Sequence, residues 1–225
     1  MPKPEKRIRA VLFDIDGTLV DSNDLHAEAW VEAFRHFGHD VPYDVVRGQI
    51  GKGGDNLIPD TLPDIGGEEQ AELDEFRGEL FREKYLARAV PFPGVCELFG
   101  KLRSDGVRIV LASSAKQGEM EHHKERIGCG DLVDGATTAD DVEHSKPDPD
   151  IFAAALKKAG VRQDEALIVG DSPFDVEAGR RLGVPVIAVR AGKFPDELLE
   201  KAGAIAVFDG VEELARRYEE TPLAA

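Results

Sequence analysis

Five charged side chains from separate parts of the sequence could act together on a phosphate group. Asp14 and Asp16 stand two residues apart at the end of one apolar run, and Asp171 and Asp175 follow another. Carboxylates that are brought together repel one another and need a cation, and their hard oxygen atoms favour Mg²⁺. Lys146 stands in a segment with two prolines. Its ammonium group could bind an anionic oxygen of the substrate.

The spacing of the first pair suits covalent catalysis. A carboxylate such as Asp14 can act as a nucleophile, and a second one two residues along, Asp16, can carry the proton. Ser113 and Ser114 follow another apolar run and precede a helical pattern, whose N-terminus attracts phosphate. Together these residues predict phosphoryl transfer, in which positioning and charge neutralisation supply most of the catalysis.

Alternating helical and strand patterns predict the elements that would position these groups. Strands separated by helices indicate right-handed βαβ crossovers and a parallel sheet. In such a sheet, ligands bind beyond the carboxyl ends of the strands, where most of the candidate residues stand. We expect the strands at residues 8–13, 107–112, 132–136, 166–169, 185–189 and 204–207.

The region between the first two strands differs from the rest, because it is helical in pattern and contains no convincing strand. It is broken by the glycine-rich residues 51–54 and by Pro59 and Pro63. We therefore predict an α/β fold, with a core formed by residues 1–20 and 92–225 and an all-helical insertion at residues 21–91.

The charge balance limits the classes of partner. The chain has 225 residues, with 44 Asp and Glu against 28 Lys and Arg, and its formal net charge is −16. This excess opposes binding to a nucleic-acid backbone or to anionic lipid. We expect no nucleic-acid partner and no membrane partner, and a monomer as the default state.

The absence of three sequence patterns predicts the compartment of the protein and the redox state of its cysteines. No apolar stretch reaches the ~7–15 residues of a secretory signal or the ~20 of a spanning helix, so we expect a cytoplasmic protein. Cys96 and Cys129 do not show the spacing of metal ligands. They are predicted to be unpaired, buried side chains of a reducing compartment.

Four motifs follow one another in an order that resembles the haloacid dehalogenase-like hydrolase superfamily, in the subfamily of phosphoglycolate phosphatases and beta-phosphoglucomutases. The first is Asp-Ile-Asp-Gly-Thr-Leu-Val-Asp-Ser at residues 14–22, and the second is Ser113 after its apolar run. The third is Ser-Lys-Pro-Asp-Pro-Asp at residues 145–150, and the fourth is Val-Gly-Asp-Ser-Pro-Phe-Asp at residues 169–175. The resemblance implies a Rossmann-like core and a helical cap that closes over the substrate.

The resemblance implies a role for each catalytic position. Asp14 would be the nucleophile that forms an aspartyl-phosphate. Asp16 would protonate the leaving alcohol and then activate water. Ser113 would hydrogen-bond the phosphoryl oxygens, while Lys146 would offset their charge and orient Asp14.

A magnesium site is implied in the same way. Asp171 would bind Mg²⁺ together with Asp14 and the backbone carbonyl of Asp16. Asp175 would support the metal through water or by orienting its neighbours. The four aspartates are therefore the metal-site candidates.

Departures from the patterns of related subfamilies favour a phosphatase. Dehalogenases usually lack the second aspartate of the first motif, whereas Asp16 is present here. Phosphosugar mutases usually show Glu-Asp in the fourth motif and an arginine in the cap loop. This chain has Gly170 before Asp171 and no arginine in residues 51–54.

Three more residues are candidates for substrate binding. Ser114 follows the expected phosphate-binding serine, Lys52 of the cap loop could lie over the substrate, and His26 stands where relatives often have a histidine. An ordinary interhelical turn at Lys52 and a structural role for His26 remain open alternatives. His123 lies on a polar helix and is predicted to be solvated surface.

The function predicted from these features is a Mg²⁺-dependent phosphatase acting on a small phosphorylated metabolite, of phosphoglycolate or sugar-phosphate type. A phosphosugar mutase similar to beta-phosphoglucomutase is the first alternative. A binding or regulatory module that keeps the fold without catalysis is the second.

Overall fold

The structure, a computed structural model, describes residues 8–224, which contain eight strands. Six of them form one parallel sheet, and two short ones form a separate antiparallel ribbon. Residues 1–7 and 225 of the predicted core lie outside the described residues. In chain order the strands are β1 (Ala10–Phe13), β2 (Val20–Asp21), β3 (Val90–Pro91), β4 (Arg108–Ala112), β5 (Gly135–Thr137), β6 (Ala166–Gly170), β7 (Val186–Val189) and β8 (Ala206–Phe208).

Ten α-helices accompany these strands within residues 8–224. A π-helical turn at Phe81–Tyr85 continues the fourth of them. Across this part of the chain, no helix combines the length and the apolar composition needed to cross a membrane. The helices are α1 (Asn23–His36), α2 (Tyr43–Arg47), α3 (Gly54–Thr61), α4 (Gly67–Leu80), α5 (Val95–Ser104), α6 (Gln117–Ile127), α7 (Asp150–Ala159), α8 (Pro173–Leu182), α9 (Asp196–Ala202) and α10 (Val211–Arg216).

The large sheet has the strand order β5-β4-β1-β6-β7-β8. The sequence of β1, Ala-Val-Leu-Phe, is entirely apolar because the strand is paired on both sides and covered on both faces. Strands β4 and β5 extend the sheet on one side of β1, and β6 to β8 extend it on the other. This arrangement confirms the predicted α/β, Rossmann-like fold and places the ends of β1, β4 and β6 side by side.

Two apolar layers hold β1 in place. On one face Phe13 packs against Phe99 of α5 with ring centroids 5.2 Å apart, in a layer that α6 and α10 complete. On the other face Leu12 lies in a layer with Phe152 of α7 and apolar residues of α8 and α9. Because side chains alternate along a strand, β1 contributes to both layers and is fixed where it ends.

The helical segment, residues 23–88, lies between β2 and β3 in the chain. Its own core includes Trp30, Phe34, Leu57 and Leu73, which are at most 2% exposed. Val20 of β2 pairs with Pro91 of β3 in antiparallel register. The two connections between the sheet and the helical segment therefore run side by side.

The third strand of the sheet starts later than predicted. Residues 132–136 were expected to form it, but Leu132 ends a 3₁₀ turn and β5 covers Gly135–Thr137. Leu132 and Val133 still pack against the apolar layer. Their apolar character therefore reflects burial of the turn and not strand pairing.

The two cysteines form a disulfide, so the prediction that they are unpaired was wrong, whereas Cys129 is buried as predicted. Cys96 lies in the first turn of α5 and is exposed, and Cys129 follows Gly128, which ends α6. Helices α5 and α6 pack on the same face of the sheet and bring the two Cα atoms to 5.7 Å. A spacing of 33 residues does not reveal this proximity. The cysteines no longer support the expectation of a reducing compartment.

Replacement of Leu12 by alanine is expected to destabilise the fold by about 2–5 kcal/mol, because the fully buried side chain would leave a cavity. The free energy of unfolding from urea denaturation measures this loss. Leu198→Ala is the control, since Leu198 is 46% exposed and its truncation should cost less than about 0.5 kcal/mol. Equal losses for the two variants would contradict the central position of β1.

Candidate active site

Three carboxylates meet at the edge where β1 and β6 end. Asp14 directly follows β1, Asp171 directly follows β6, and Asp175 lies in the first turn of α8. One oxygen from each carboxylate lies within 4.8 Å of the others, and all three residues are buried. The cluster arises because the two neighbouring parallel strands end at the same level, with Phe13 opposite Val169.

Lys146 brings a positive charge into this cluster from the loop between β5 and α7. Its Nζ donates to Asp14 Oδ1 at 2.5 Å and to Asp175 Oδ1 at 2.8 Å, and its side chain is 2% exposed. Burial opposes the charge, but the two carboxylates outweigh burial and raise the pKa of Lys146 above its usual range. Lys146 is therefore a fixed cation that orients Asp14.

The cluster carries more negative charge than its own lysine balances. Burial, together with the nearby Asp175, raises the pKa of Asp171 to about 7. Burial also raises the pKa of Asp14 well above its ordinary value, although Lys146 opposes this. When all groups are ionised, three carboxylates and one ammonium leave two negative charges. A divalent cation with oxygen ligands would balance this excess, so the cluster fits Mg²⁺.

The loop after β1 shapes the same cluster. Thr18 Oγ1 lies 3.2 Å from both Asp14 Oδ2 and Asp171 Oδ1 and can donate its one proton to either. Asn23 Nδ2 donates to Asp171 Oδ2 at 2.8 Å. Gly17 has a φ of +78°, and a Cβ at this position would collide with Asn23 and Asp171. Among residues 8–224, Asn23 Oδ1 is buried and has no hydrogen-bond partner, which suits an acceptor beside a hydrated cation.

Asp16 contacts a different set of side chains. Its Oδ1 accepts a hydrogen bond from Ser22 at 2.6 Å and lies 3.0 Å from Nε2 of His26, and its Oδ2 accepts from Ser113 at 3.4 Å. Burial alone would raise the pKa of Asp16. The charge and hydrogen bond of His26, with a smaller effect of His123, outweigh burial and lower this pKa below the ordinary range. The Asp16 carboxylate is therefore held in its ionised form.

His123 is buried beside Asp16, which corrects the prediction that it is solvated surface. Its side chain is 1% exposed, and its Nε2 lies 3.6 Å from Asp16 Oδ1. Neither ring nitrogen has a hydrogen-bond partner in the described part of the chain. Met120 and Ile127 are buried on the same face of α6, and their helical spacing is the signal that would have placed His123 inward.

Asp14, Asp16 and Lys146 line a cavity of about 50 Å³, hereafter the catalytic cavity. Ser114 lines it as well. Ser113 is fully buried and makes its contact with Asp16 instead. Three of the four catalytic candidates thus lie around one small space, and Ser113 is connected to it through its contact with Asp16.

Lys52 and His26 also reach the catalytic cavity. His26 contacts Asp16 directly. Lys52 Nζ lies 2.5 Å from both Gln49 Oε1 and Asp60 Oδ2. The charge of Lys52 is therefore already paired, whereas His26 touches a catalytic candidate.

Hydrogen bonds hold the helical segment against the loop that carries Lys146. The backbone N–H of Gly53 donates to Ser145 Oγ at 3.0 Å, and Asn56 Nδ2 donates to the Ser145 carbonyl at 3.0 Å. The Ser145 N–H in turn donates to Asp55 Oδ2 at 3.0 Å. The segment is therefore closed over the catalytic cavity.

The cavity is also lined by two charged residues that were not found from the sequence, Arg77 of α4 and Glu119 of α6. Arg77 follows the buried Leu73 by one helical turn, and Glu119 precedes His123 by one turn. Helical spacing could have placed both on an inward face. It could not have shown that the two faces meet.

Residues 8–183 match the haloacid dehalogenase-like hydrolase family, described as hydrolases. The matched range contains every catalytic and metal-site candidate named above. The chain belongs to this family.

Relatives and solved structures agree with the family. The chain is 30% identical to a phosphoglycolate phosphatase of Rhodospirillum rubrum over 211 residues, which cover 89% of this chain and 87% of that protein. A hydrolase structure from Pseudomonas syringae has a TM-score of 0.89 and 28% identity, covering 95% and 98% of the two chains. A beta-phosphoglucomutase-like structure from Bacteroides vulgatus has a TM-score of 0.87 and 27% identity, covering 98% and 90%. These matches confirm the predicted family and the prediction of an enzyme of phosphatase type.

Mg²⁺ is expected to raise the melting temperature more at about pH 8 than at about pH 5. Because the pKa of Asp171 is raised from 3.8 to about 7, the metal-free fold loses stability as pH rises through that range. A cation would restore this loss only where Asp171 is ionised. Thermal denaturation with and without Mg²⁺ at both pH values measures the difference.

Asp171→Asn should abolish the effect of Mg²⁺ on the melting temperature, while Asp131→Asn, at an exposed position, should retain it. An equal rise at both pH values, or a rise that persists in Asp171→Asn, would contradict the assigned cation site.

Proposed function

We propose that the chain is a Mg²⁺-dependent phosphatase that hydrolyses a small phosphorylated metabolite through an aspartyl-phosphate at Asp14. The observation that carries the proposal is that Asp14, held by Lys146, shares a single small cavity with Asp16. Hydrolysis of a phosphomonoester needs a nucleophile, a cation for the phosphoryl oxygens and a proton carrier. The name of the Rhodospirillum rubrum relative supports the same activity.

In the first half of the reaction, a carboxylate oxygen of Asp14 attacks phosphorus, and the bond from phosphorus to the ester oxygen breaks. Lys146 donates to Asp14 Oδ1 and keeps the carboxylate oriented. Asp16 gives a proton to the leaving alcohol. The Nε2 atom of His26 lies 3.0 Å from the same carboxylate and can exchange this proton with it.

In the second half, the Asp16 carboxylate takes a proton from water, and the water oxygen attacks phosphorus. The bond between phosphorus and Asp14 then breaks, and inorganic phosphate is released. The lowered pKa of Asp16 favours the ionised form that this step needs. Ser113, within 3.4 Å of Asp16, helps to orient that carboxylate.

Asp14, Asp171 and the backbone carbonyl of Asp16 would hold Mg²⁺. Bound there, the cation would offset charge on the phosphoryl oxygens while the nucleophile approaches. Asp175 already accepts hydrogen bonds from Lys146 at 2.8 Å and from Ser172 Oγ at 2.6 Å. We therefore assign Asp175 the supporting role of orienting Lys146.

Residues 21–91 would act as the cap of a core formed by residues 1–20 and 92–225. The hydrogen bonds of Gly53 and Asn56 to Ser145 hold the closed position. Closure would exclude bulk water while the ester bond breaks, and opening would exchange substrate and product. The enclosed space suits a small metabolite.

A phosphosugar mutase is the second candidate, favoured by the likeness to the Bacteroides vulgatus structure. Such an enzyme would convert a hexose 1-phosphate to its 6-phosphate without net release of phosphate. Measuring both products from one reaction separates the two activities. Conversion without phosphate release would overturn the phosphatase proposal.

Asp14→Asn is expected to lower Mg²⁺-dependent phosphate release from p-nitrophenyl phosphate on the order of 10³-fold or more, because the amide cannot form the covalent intermediate. Steady-state kinetics measures the loss, with circular dichroism as a check on folding. Asp131→Asn, at an exposed position, should keep wild-type kinetics. Retention of full activity by Asp14→Asn would show that the assigned mechanism is wrong.

Asp16→Asn should separate the two halves of the reaction on p-nitrophenyl phosphate. The p-nitrophenolate group leaves without needing a proton, so the first half would continue, while water would lack its base. Stopped-flow absorbance should show a burst of p-nitrophenolate equal to the enzyme concentration, followed by slow turnover. Loss of both phases in a folded variant would show that formation of the phosphoryl-enzyme also depends on Asp16, which would contradict the expected separation of the two halves.

A further inference from the structure

A second cavity, of about 200 Å³, adjoins the catalytic cavity between the helical segment and the core. Arg77, Ser114 and Glu119 line both cavities and mark the passage between them. The volume is below the ~300–1,000 Å³ that is usual for drug-sized ligands. With a phosphate at Asp14, the alcohol part of a substrate would occupy this second cavity, which suits a leaving group no larger than a sugar.

Each of the three residues at the passage has a polar side-chain group without a hydrogen-bond partner among the described residues. Glu119 is 2% exposed, and within residues 8–224 its carboxylate makes no hydrogen bond or ion pair. Ser114 Oγ and Arg77 Nε are buried and likewise have no hydrogen-bond partner in this part of the chain. Buried polar groups are normally paired, so three such groups around one passage indicate a ligand that pairs with them.

Arg77 and Glu119 offer complementary groups from opposite sides of the passage. The Arg77 guanidinium lies 4.6 Å from the centre of the Trp30 ring, and its Nη2 lies 3.7 Å from Asp74 Oδ1. These contacts fix hydrogen-bond donors on the side of the helical segment. Glu119 supplies acceptors on the side of the core. A hydroxyl group can accept from a guanidinium and donate to a carboxylate, so neighbouring hydroxyls match this arrangement.

The charges around the second cavity disfavour another anionic group on the substrate. Carboxylates outnumber cations in its lining. A carboxylate or a second phosphate on the leaving group would lie in this excess of negative charge, whereas a neutral alcohol would not. The charged residues that line the cavity are Arg77, Lys116, Asp55, Asp74, Glu119 and Glu143.

We propose that the substrate is the phosphate ester of a neutral polyhydroxy alcohol, a sugar or a polyol, whose hydroxyl groups bind between Arg77 and Glu119. This inference rests on the proposed function, because it requires the phosphate to lie at Asp14. Glu119 accepts a hydrogen bond from one hydroxyl, and Arg77 donates to another. Phosphate esters of hydroxy acids lose affinity through repulsion from Glu119 and Asp74.

Matched pairs of esters test the inference. Each pair differs only in having a primary alcohol or a carboxylate at the far end: 2-hydroxyethyl phosphate against 2-phosphoglycolate, and glucitol 6-phosphate against 6-phosphogluconate. Phosphate release with Mg²⁺ is measured at about pH 8, above the ordinary range of carboxyl pKa values. We expect kcat/KM to be at least about tenfold higher for the alcohol of each pair.

Glu119→Gln removes the charge and keeps the shape of the side chain. The variant should lower KM for the carboxylate esters, so that the difference in kcat/KM within each pair becomes smaller. Glu125→Gln, at an exposed position of the same helix, should leave the preference as in the wild type. Arg77→Met should raise KM for glucitol 6-phosphate while keeping the contact with Trp30.

The outcomes separate this inference from the proposed function. Hydrolysis of p-nitrophenyl phosphate with a preference for the carboxylate esters would overturn the inference and leave the phosphatase intact. If the Glu119→Gln variant kept the wild-type preference, Glu119 would not determine substrate specificity, and the inference would be overturned as well. Release of phosphate from none of the esters would overturn the proposed function, and the inference with it.

Discussion

Three buried carboxylates around one lysine are the constraint on which the rest of the structure depends. Asp14, Asp171 and Asp175 repel one another in a region without bulk water, and Lys146 binds two of them. Loss of one partner from a buried ion pair typically costs about 3–5 kcal/mol. The loop of Lys146 must therefore be held firmly, and the helical segment holds it through Ser145. Closure of the segment and the position of Lys146 are thus linked.

The doubly wound sheet makes this concentration of charge possible. Strand β1 is apolar throughout and is packed on both faces, so the backbone that carries Asp14 has little freedom to move. Strand β6 ends beside it and presents Asp171 at the same level. The apolar layers stabilise the fold, and the repulsion between the carboxylates is confined to residues beyond the strand ends. A divalent cation would complete the site by balancing the two remaining negative charges.

Local patterns in the sequence were sufficient to predict the fold and the acidic residues that follow its strands. Apolar runs ending in Asp14 and Asp171 predicted both the strands and the edge where the carboxylates meet. The proximity of Cys96 to Cys129, and of Arg77 to the core, depends on how whole helices pack, which spacing along the chain does not encode. The position of His123 was predictable in part. The periodicity of α6 marks its inward face, but only the tertiary structure shows that Asp16 lies opposite.

Trapping of the covalent intermediate tests directly whether Asp14 is the nucleophile. Wild-type protein turning over p-nitrophenyl phosphate with Mg²⁺ would be quenched in acid, digested and analysed by mass spectrometry. One phosphoryl group is expected on the peptide that contains Asp14, and hydroxylamine should remove it, as it does from acyl phosphates. Phosphate attached to a serine or histidine, or steady turnover without any phosphoryl-enzyme, would contradict it.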